Sequence, residues 1–289
     1  MSSTPRIGII GGSGLYQMDG LELLEERRVE TPYGDPSDAY LIGRLNGSEV
    51  VFLARHGRGH KYNPSEINFR ANIWGMKKLG VDWIVSISAV GSLRADVVPG
   101  HMVVIDQFID RTKGRHATFF EKGIVAHVAF GHPVCDTLRG MLLEAAQEVD
   151  AVVHDGGTYV CMEGPAFSTK AESELYRSWG ARVVGMTNLP EAKLAREAEI
   201  SYATLAMSTD YDCWHPDHDD VTVDAVIAVM QKNTATAQRI LSAVVPKIAG
   251  FGKPAPESNA LQGAIFTQPA DISPEVAERL RPIIGKYLV

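Results

Sequence analysis

The sequence predicts a single α/β domain, and three observations lead to this prediction. Apolar, β-branched runs alternate with segments of helical spacing along most of the chain. The 289 residues are enough to bury a sizeable core, and 45% are hydrophobic and 22% charged, as in an ordinary globular protein. The sequence shows no repeat, no low-complexity block and no independent second core.

The N-terminal half is predicted to begin with the buried strand "RIGII", which enters the glycine turn "GGSG". The second strand is "EVVFLA", and it stops at the basic stretch "RHGRGH". Helical spacing follows in "INFRANIWGMKKLG", with Gly80 as a stop signal. The next two strands are "VDWIVSISAVGS", which is expected to open into a loop of small residues, and "GHMVVIDQFIDR".

The alternation continues in the C-terminal half. Helical spacing is present in "TLRGMLLEAAQEV", "TKAESELYRSWG" and "EAKLAREAEI". Strand-like runs stand between them in "GGTYVCMEG", in "RVVGMTNLP", which ends in a turn, and in "YATLAMSTDYD". This order of strands and helices again indicates an α/β fold.

The end of the chain is predicted to hold a long helix, a loop and a short helix. The long helix is "TVDAVIAVMQKNTATAQRILSAVV", with Thr222 as its N-cap. Gly, Pro, Asn and Gln then dominate residues 250–271, which indicates a surface loop, and Ser273 caps a short helix with Pro274 in its first turn. We therefore expect a domain at 1–249 and a C-terminal arm with a short terminal helix at 250–289.

Charge and composition exclude several classes of partner. The formal charge of -7 and the pI near 5.7 argue against nucleic acid and against anionic membranes. No apolar run approaches the roughly 20 residues that cross a bilayer, and "MSSTPRIGII" lacks the features of a signal peptide. The three cysteines, Cys135, Cys161 and Cys213, are too widely spaced for a disulfide framework. We expect a cytoplasmic protein.

Four possible phosphate donors each follow a predicted strand: Ser13, Arg55, Ser88 and Thr187. The glycine turn does not match a dinucleotide fingerprint, because Gln17 stands where the third glycine should be. A dehydrogenase gathers its phosphate donors at one turn, whereas this chain collects them from several strand ends. The combination suggests free phosphate held as a reactant. Taken singly, these positions are equally explained by a tight turn, a solvated basic loop or the packing of small residues.

The acidic stretch "STDYDCWHPDHDD" is open to three interpretations. If the preceding strand extends through it, Asp210 and Asp212 face one ligand, and each carboxylate raises the pKa of the other. One could then donate to a ring nitrogen while the other accepts from an amine. A metal site would use Cys213, His215 and His218, which lack a compact zinc spacing. Solvated acid at a helix start explains the last aspartates equally well.

Seven motifs occur in the order seen in the S-methyl-5'-thioadenosine phosphorylases, in the trimeric branch of the purine nucleoside phosphorylase family. They are "GIIGGSG", "LARHGRGH", "SAVGSLR", "IDQFIDRT", "MEGPAFSTKAES", "GMTNLPEAKLAREA" and "STDYDCWH", and the resemblance runs from Arg6 to Ile248. It implies a central mixed β-sheet flanked by helices and a cytoplasmic homotrimer or dimer of trimers. The implied reaction, part of purine and methionine salvage, splits S-methyl-5'-thioadenosine with phosphate into adenine and 5-methylthioribose 1-phosphate. The resemblance implies no metal and no cofactor. Inorganic phosphate is a co-substrate of the implied reaction.

The resemblance also implies roles for individual residues. The implied phosphate-binding residues are Ser13, Arg55, His56, Ser88, Ala89 and Thr187. The implied substrate-binding residues are Phe167 on the purine, Met186 under the ribose, Asp210 at ring nitrogen 7 as the catalytic acid, Asp212 at the 6-amino group, and His127 lent by a neighbouring subunit to the 5' end. Ser168 and Val223 match positions associated with substrate preference, and Ala166 departs from the arginine that many relatives carry.

Three alternatives stand beside this hypothesis. The same fold could prefer 6-oxopurine nucleosides, although relatives of that kind place asparagine where this chain has Asp210. A nucleoside-binding module would bind without turnover. A metal hydrolase built on "CWHPDH" would need no phosphate.

Overall fold

A computed structural model describes residues 6–16, 18–216 and 223–288, which form eleven β-strands and six α-helices. The strands are β1 (Arg6–Gly11), β2 (Leu21–Arg27), β3 (Tyr40–Leu45), β4 (Ser48–Ala54), β5 (Val81–Ser92), β6 (Met102–Val104), β7 (Gln107–Arg111), β8 (Val153–Asp155), β9 (Thr158–Met162), β10 (Val183–Gly185) and β11 (Ser201–Asp210). The helices are α1 (Phe69–Lys78), α2 (Asp136–Glu148), α3 (Lys170–Ser178), α4 (Asn188–Glu197), α5 (Val223–Ala249) and α6 (Pro274–Ile284). Short 3₁₀ turns cover Ser13–Tyr16, Pro269–Asp271 and Gly285–Tyr287.

All of these strands belong to one mixed sheet. Its main path runs β2-β3-β4-β1-β5-β10-β9-β7, while β11 pairs with β5 and leads on to β6 and β8. The central strands β1, β4, β5 and β11 are parallel to one another where they pair, and β10 runs antiparallel to β5. Helices pack on this sheet around one main hydrophobic core. The predicted α/β domain with a mixed sheet flanked by helices is confirmed.

The helix starts follow local signals in the sequence. Asn68 caps α1 through its side chain, and Thr169 and Glu172 form a complete capping box at α3. The hydroxyl of Ser273 accepts a hydrogen bond at the start of α6, where Pro274 occupies the first turn as predicted. The predicted N-cap of α5, Thr222, lies outside the described residues.

Two strand predictions were wrong in detail. The run "GHMVVIDQFIDR" is two strands, because β6 pairs with β11 and β8 whereas β7 pairs with β9. The small residues of "SISAVGS" do not open into a loop but continue β5 to Ser92, because β11 and β10 supply ladder partners along that stretch. Strands β2, β3 and β8 were not predicted.

The C-terminal segment packs on the main core. Leu261, Leu280 and Ile283 are buried in the same cluster as the central strands. The indole Nε1 of Trp74 on α1 donates to the carbonyl of Arg279 on α6 at 3.0 Å. A division of the chain at residue 249 stays a prediction. None of the described helices combines the length and apolar character that a membrane span requires.

Candidate active site

The carboxyl ends of β1 and β4 lie side by side. The backbone N–H of Arg55, the first residue after β4, donates to the carbonyl of Gly11 at the end of β1 at 2.9 Å. Ser13 starts the 3₁₀ turn that follows β1. Because β5 is the other neighbour of β1, the three parallel strands deliver their following residues to one edge of the sheet.

Ser88 and Thr187 meet at this edge. The antiparallel register pairs Val184 with Gly91, so the continuation of that register sets Thr187 opposite Ser88. Their hydroxyl oxygens are 3.4 Å apart, and both side chains are buried. The prediction that Ser88 lies beyond its strand was wrong, since Ser88 and the half-buried Ala89 are inside β5. Two hydroxyl donors nevertheless face each other there.

Arg55 is buried and its guanidinium faces a carboxylate. Its Nε and Nη2 bind the two Glu191 oxygens at 2.8 and 3.0 Å, while Nη2 also contacts Ser86 Oγ at 2.7 Å and Nη1 donates to the Ile87 carbonyl at 2.9 Å. Burial alone would lower the pKa of Arg55, and the Glu191 carboxylate reverses the effect and raises it. The Arg55 guanidinium, which was expected to bind phosphate, is therefore paired with the Glu191 carboxylate.

His56 is a neutral imidazole of fixed tautomer. Its Nδ1 lies 2.8 Å from the carbonyl of Tyr62, and a carbonyl only accepts, so Nδ1 carries the hydrogen. Burial lowers the pKa of His56 to about 4, and the charge of neighbouring Arg55 acts in the same direction. The other ring nitrogen, Nε2, is then a hydrogen-bond acceptor.

Asp210 and Asp212 form an acidic pair at the end of β11. The strand stops at Asp210, and Asp212 lies beyond it in a left-handed conformation with φ 53°, so strand alternation does not bring the two together. Instead, the backbone N–H of Asp212 donates to Asp210 Oδ1 at 2.7 Å, and the Thr209 hydroxyl donates to Oδ2 at 2.6 Å. Asp210 and Asp212 therefore lie next to each other because of the turn at Asp212, and not because of strand alternation.

Burial is the main electrostatic influence on both carboxyl groups. It raises the pKa of Asp210, to which the charge of Asp212 adds a smaller contribution, and hydrogen bonds from Thr209 and the Asp212 amide oppose the rise. Burial likewise raises the pKa of Asp212, with Ser173 and Ser168 moderating the effect. Mutual repulsion, the expected cause, is therefore secondary. Among the described residues, buried Asp212 Oδ2 has no hydrogen-bond partner.

Gly91 sets the distance between β5 and the acidic pair, and the sequence did not mark it. A Cβ at this position would lie 2.9 Å from Asp210 Oδ1 and 3.3 Å from the Asp212 Cβ. Gly91 stands three residues beyond Ser88 on the same strand, which corresponds to roughly 10 Å at 3.3 Å per residue. The acidic pair therefore contacts β5 on the C-terminal side of Ser88.

Met186, Phe167 and Ser168 lie on elements next to the acidic pair. Met186 is half-buried after β10, and its side chain fills the space beside Gly164, where a Cβ would lie 2.5 Å from Met186 Sδ. Ser168 is buried with its hydroxyl 3.5 Å from the Met162 sulfur, and its carbonyl contacts Cys213. Phe167 is 50% exposed.

Arg115 holds the segment that contains Met186 in place, and no sequence pattern predicted this role. Its buried guanidinium donates from Nη1 to the carbonyls of Met186 and Leu189 at 2.7 and 2.9 Å. Its Nη2 donates to the carbonyl of Glu163 at 2.6 Å. The turn that holds Met186 and Thr187 is therefore tied to the end of β9.

His127 is on the surface in this chain. Its ring meets the exposed Phe266 edge-on at 5.0 Å between centroids, and its backbone N–H donates to the Ala264 carbonyl at 2.9 Å. The predicted specificity residue Val223 begins α5, and its side chain, like that of Ser13, is not described.

The metal alternative concerned Cys213, His215 and His218. Within 6–16, 18–216 and 223–288, no cluster of three or more His, Cys, Asp or Glu side chains is arranged to hold a metal ion. The ring of His215 packs on Tyr211 at 4.6 Å between centroids. His218 lies outside the described residues.

Comparisons with known proteins assign the chain to a family. The model of the phosphorylase superfamily matches residues 6–246. The S-methyl-5'-thioadenosine phosphorylase of Geobacter sulfurreducens is 58% identical over 283 residues, or 98% of this chain and 99% of the relative. A crystal structure of methylthioadenosine phosphorylase from an antarctic soil metagenomic library has a TM-score of 0.93 at 48% identity, covering 97% of this chain and 99% of that one.

A more distant structure carries a ligand. The methylthioadenosine phosphorylase of Schistosoma mansoni in complex with adenine has a TM-score of 0.85 at 37% identity and covers 90% of this chain and 96% of that one. These matches confirm the resemblance drawn from the motifs. The chain belongs to the S-methyl-5'-thioadenosine phosphorylase family of the phosphorylase superfamily.

Proposed function

We propose that this protein splits S-methyl-5'-thioadenosine with inorganic phosphate, giving adenine and 5-methylthioribose 1-phosphate. The observation that carries the proposal is the placement of two groups along β5: a buried acid pair whose Asp212 Oδ2 has no hydrogen-bond partner among the described residues, and the hydroxyl pair of Ser88 and Thr187. A purine needs a donor and an acceptor at its base edge, and phosphate needs donors. The family of the chain points to the same substrate.

At the purine end of the site, Asp210 and Asp212 have different roles. Cleavage of the N-glycosidic bond leaves negative charge on the departing purine, and Asp210, whose pKa is raised by burial, donates a proton toward ring nitrogen 7. Asp212 Oδ2 accepts from the 6-amino group, which gives this buried oxygen the partner it lacks among the described residues. A 6-oxopurine would present an acceptor there instead.

At the other end, phosphate serves as nucleophile. The hydroxyls of Ser88 and Thr187, the Ala89 backbone and Ser13 supply donors, while Arg55 contributes through its guanidinium, which is paired with Glu191. The bound anion stabilises the positive charge that develops on the sugar and then attacks its first carbon. Positioning and electrostatics provide the rate enhancement, and the step asks for neither a metal nor an organic cofactor.

The remaining predicted contacts complete the substrate site. Met186 lies under the ribose, and the half-exposed side chain of Phe167 stacks on the purine. Ser168 and Val223 adjust substrate preference. Exposed His127 reaches the 5' end of a substrate held by a neighbouring subunit, which accounts for its position away from the acid pair and requires a homotrimer or a dimer of trimers. We place the enzyme in cytoplasmic purine and methionine salvage.

The products test the proposal directly. Phosphorus NMR of a reaction with S-methyl-5'-thioadenosine should show inorganic phosphate converted into a sugar 1-phosphate, mole for mole with adenine. Free methylthioribose with unconsumed phosphate would show hydrolysis and refute the assignment of phosphate as nucleophile.

Gly91→Ala is expected to lower kcat by about 10- to 100-fold, because displacement of a catalytic group by a fraction of an ångström is costly. The new Cβ would meet Asp210 Oδ1 at 2.9 Å. Steady-state kinetics of adenine formation measures the effect. Gly140→Ala on α2 is the matched control and should keep full activity, because among the described residues a new Cβ there would have no atom within 4 Å apart from its chain neighbours and the backbone of its own helix. Equal kinetics in both variants would contradict the placement of Asp210.

The phosphate KM is expected to show no histidine titration between about pH 5.5 and 8, beyond that of free phosphate itself. The pKa of His56 is lowered to about 4, so the imidazole stays neutral throughout this range and accepts from a protonated phosphate oxygen through Nε2. Initial rates across pH give the KM profile. A transition near the ordinary histidine pKa of about 6.5 that His56→Asn removes would mean that His56 binds phosphate as a cation.

A further inference from the structure

Tyr159 lies directly behind the hydroxyl pair. It is on β9, whose neighbour β10 leads into the turn with Thr187, and its side chain is fully buried. Its ring fits because residue 185 is glycine: a Cβ there would lie 2.0 Å from the Tyr159 hydroxyl oxygen. The phenol therefore occupies the space that any side chain at Gly185 would fill.

The Tyr159 hydroxyl is bonded to the phosphate end of the site. Its oxygen is 3.2 Å from Ser88 Oγ. Burial raises the pKa of Tyr159 well above its ordinary value, so the phenol keeps its proton. A buried phenol that keeps its hydrogen needs an acceptor, and Ser88 Oγ at 3.2 Å is the partner that the Tyr159 hydroxyl has among the described residues, so this hydrogen is directed to Ser88 Oγ.

This arrangement fixes the direction of the Ser88 hydroxyl. If Ser88 Oγ accepts from Tyr159, its hydrogen is left to be donated elsewhere. The other acceptors close to Ser88 Oγ are the Ala89 carbonyl and Thr187 Oγ1, both at 3.4 Å and therefore weak. A bound phosphate oxygen is the stronger acceptor.

We propose that Tyr159 is a positioning residue for phosphate, which orients the Ser88 hydroxyl toward the anion while its ring packs against Gly185. The inference rests on the proposed function, because it assumes that Ser88 and Thr187 bind phosphate. It adds a residue that does not itself touch the substrate. Gly185 is part of the device, since only glycine leaves room for the phenol.

Tyr159→Phe tests the proposal, because it removes the hydroxyl and keeps the ring. We expect the phosphate KM to rise about fivefold, the effect of one hydrogen bond, while the KM for S-methyl-5'-thioadenosine at saturating phosphate changes less than about twofold. Tyr40→Phe is the matched control: its hydroxyl is equally buried but bonds the Ala71 and Asn72 carbonyls on α1. That variant should lose thermal stability without a change in phosphate KM.

A double-mutant cycle with Ser88→Ala tests whether Tyr159 affects phosphate binding through the Ser88 hydroxyl. In the Ser88→Ala background, Tyr159→Phe should raise the phosphate KM by less than half as much as it does in the native enzyme. Full additivity, an unchanged KM in Tyr159→Phe, or an equal rise in Tyr40→Phe would each overturn the inference. If Ser88→Ala alone leaves the phosphate KM unchanged, the proposed phosphate site itself is wrong, and the two failures are thereby distinguished.

Discussion

Asp210→Asn is expected to lower kcat for S-methyl-5'-thioadenosine by about 10²- to 10⁴-fold, the range supplied by a positioned general acid. Asparagine keeps the size of the side chain and can still accept from the Asp212 amide, but its amide is not acidic and cannot transfer a proton to the purine. The burial that raises the pKa of Asp210 makes the proton available in the native enzyme. Adenine formation at saturating substrates measures the loss.

Asp82→Asn is the matched control for this substitution. Asp82 also lies on the sheet, on β5, and burial raises its pKa as well, yet it is at the opposite end of the strand from Gly91. Its replacement should leave kcat unchanged. The Asp210→Asn variant should also gain relative preference for the 6-oxo analogue, since an amide can donate to a carbonyl-bearing base. Unchanged turnover of the 6-amino substrate would contradict the role given to Asp210.

Glu191→Ala is expected to destabilise the protein by about 3–5 kcal/mol, because it leaves the Arg55 charge buried without its partner. Both side chains are at most 2% exposed, and Glu191 also accepts from Ser86 and Tyr202 at 2.8 and 2.9 Å. Urea unfolding monitored by circular dichroism should show a markedly lower midpoint. A surface pair such as Arg281–Glu278 should contribute less than about 1 kcal/mol, so Glu278→Ala is the control.

The double variant Arg55→Met/Glu191→Leu separates stability from phosphate binding. An apolar pair of similar volume often replaces a buried ion pair at little cost, so we expect the double variant to regain at least half of the lost stability. The phosphate KM should be raised in this double variant, since the guanidinium of Arg55 no longer contributes to binding the anion. A double variant that binds phosphate as tightly as the native enzyme would show that Arg55 is structural only.

Much of the fold was predictable because its signals are local. Alternating apolar runs located β1, β4, β9, β10 and β11, and capping residues such as Thr169 and Ser273 located helix starts. The charged "LELLEER" of β2 was missed, since most of that edge strand is exposed and lacks an apolar pattern. The end of β5 was misjudged because its small residues become a strand only through pairing with β10 and β11.

The candidate site was predictable in its residue types but not in its geometry. Strand ends identified Arg55 and Thr187. No local sequence pattern shows that the guanidinium of Arg55 forms an ion pair with Glu191, which is far along the chain. The acid pair was anticipated as strand alternation and is instead formed by a left-handed turn at Asp212. Tyr159 could not be inferred, because its role depends on contacts across two strands of the sheet.

The most direct test of phosphorolysis is adenine release from S-methyl-5'-thioadenosine with and without inorganic phosphate, separated chromatographically and detected by ultraviolet absorbance. The proposed purine site and phosphate site predict adenine release that requires phosphate and saturates as the phosphate concentration rises. Equal release without phosphate would mean that water is the nucleophile and that Ser88 and Thr187 do not bind a reacting anion.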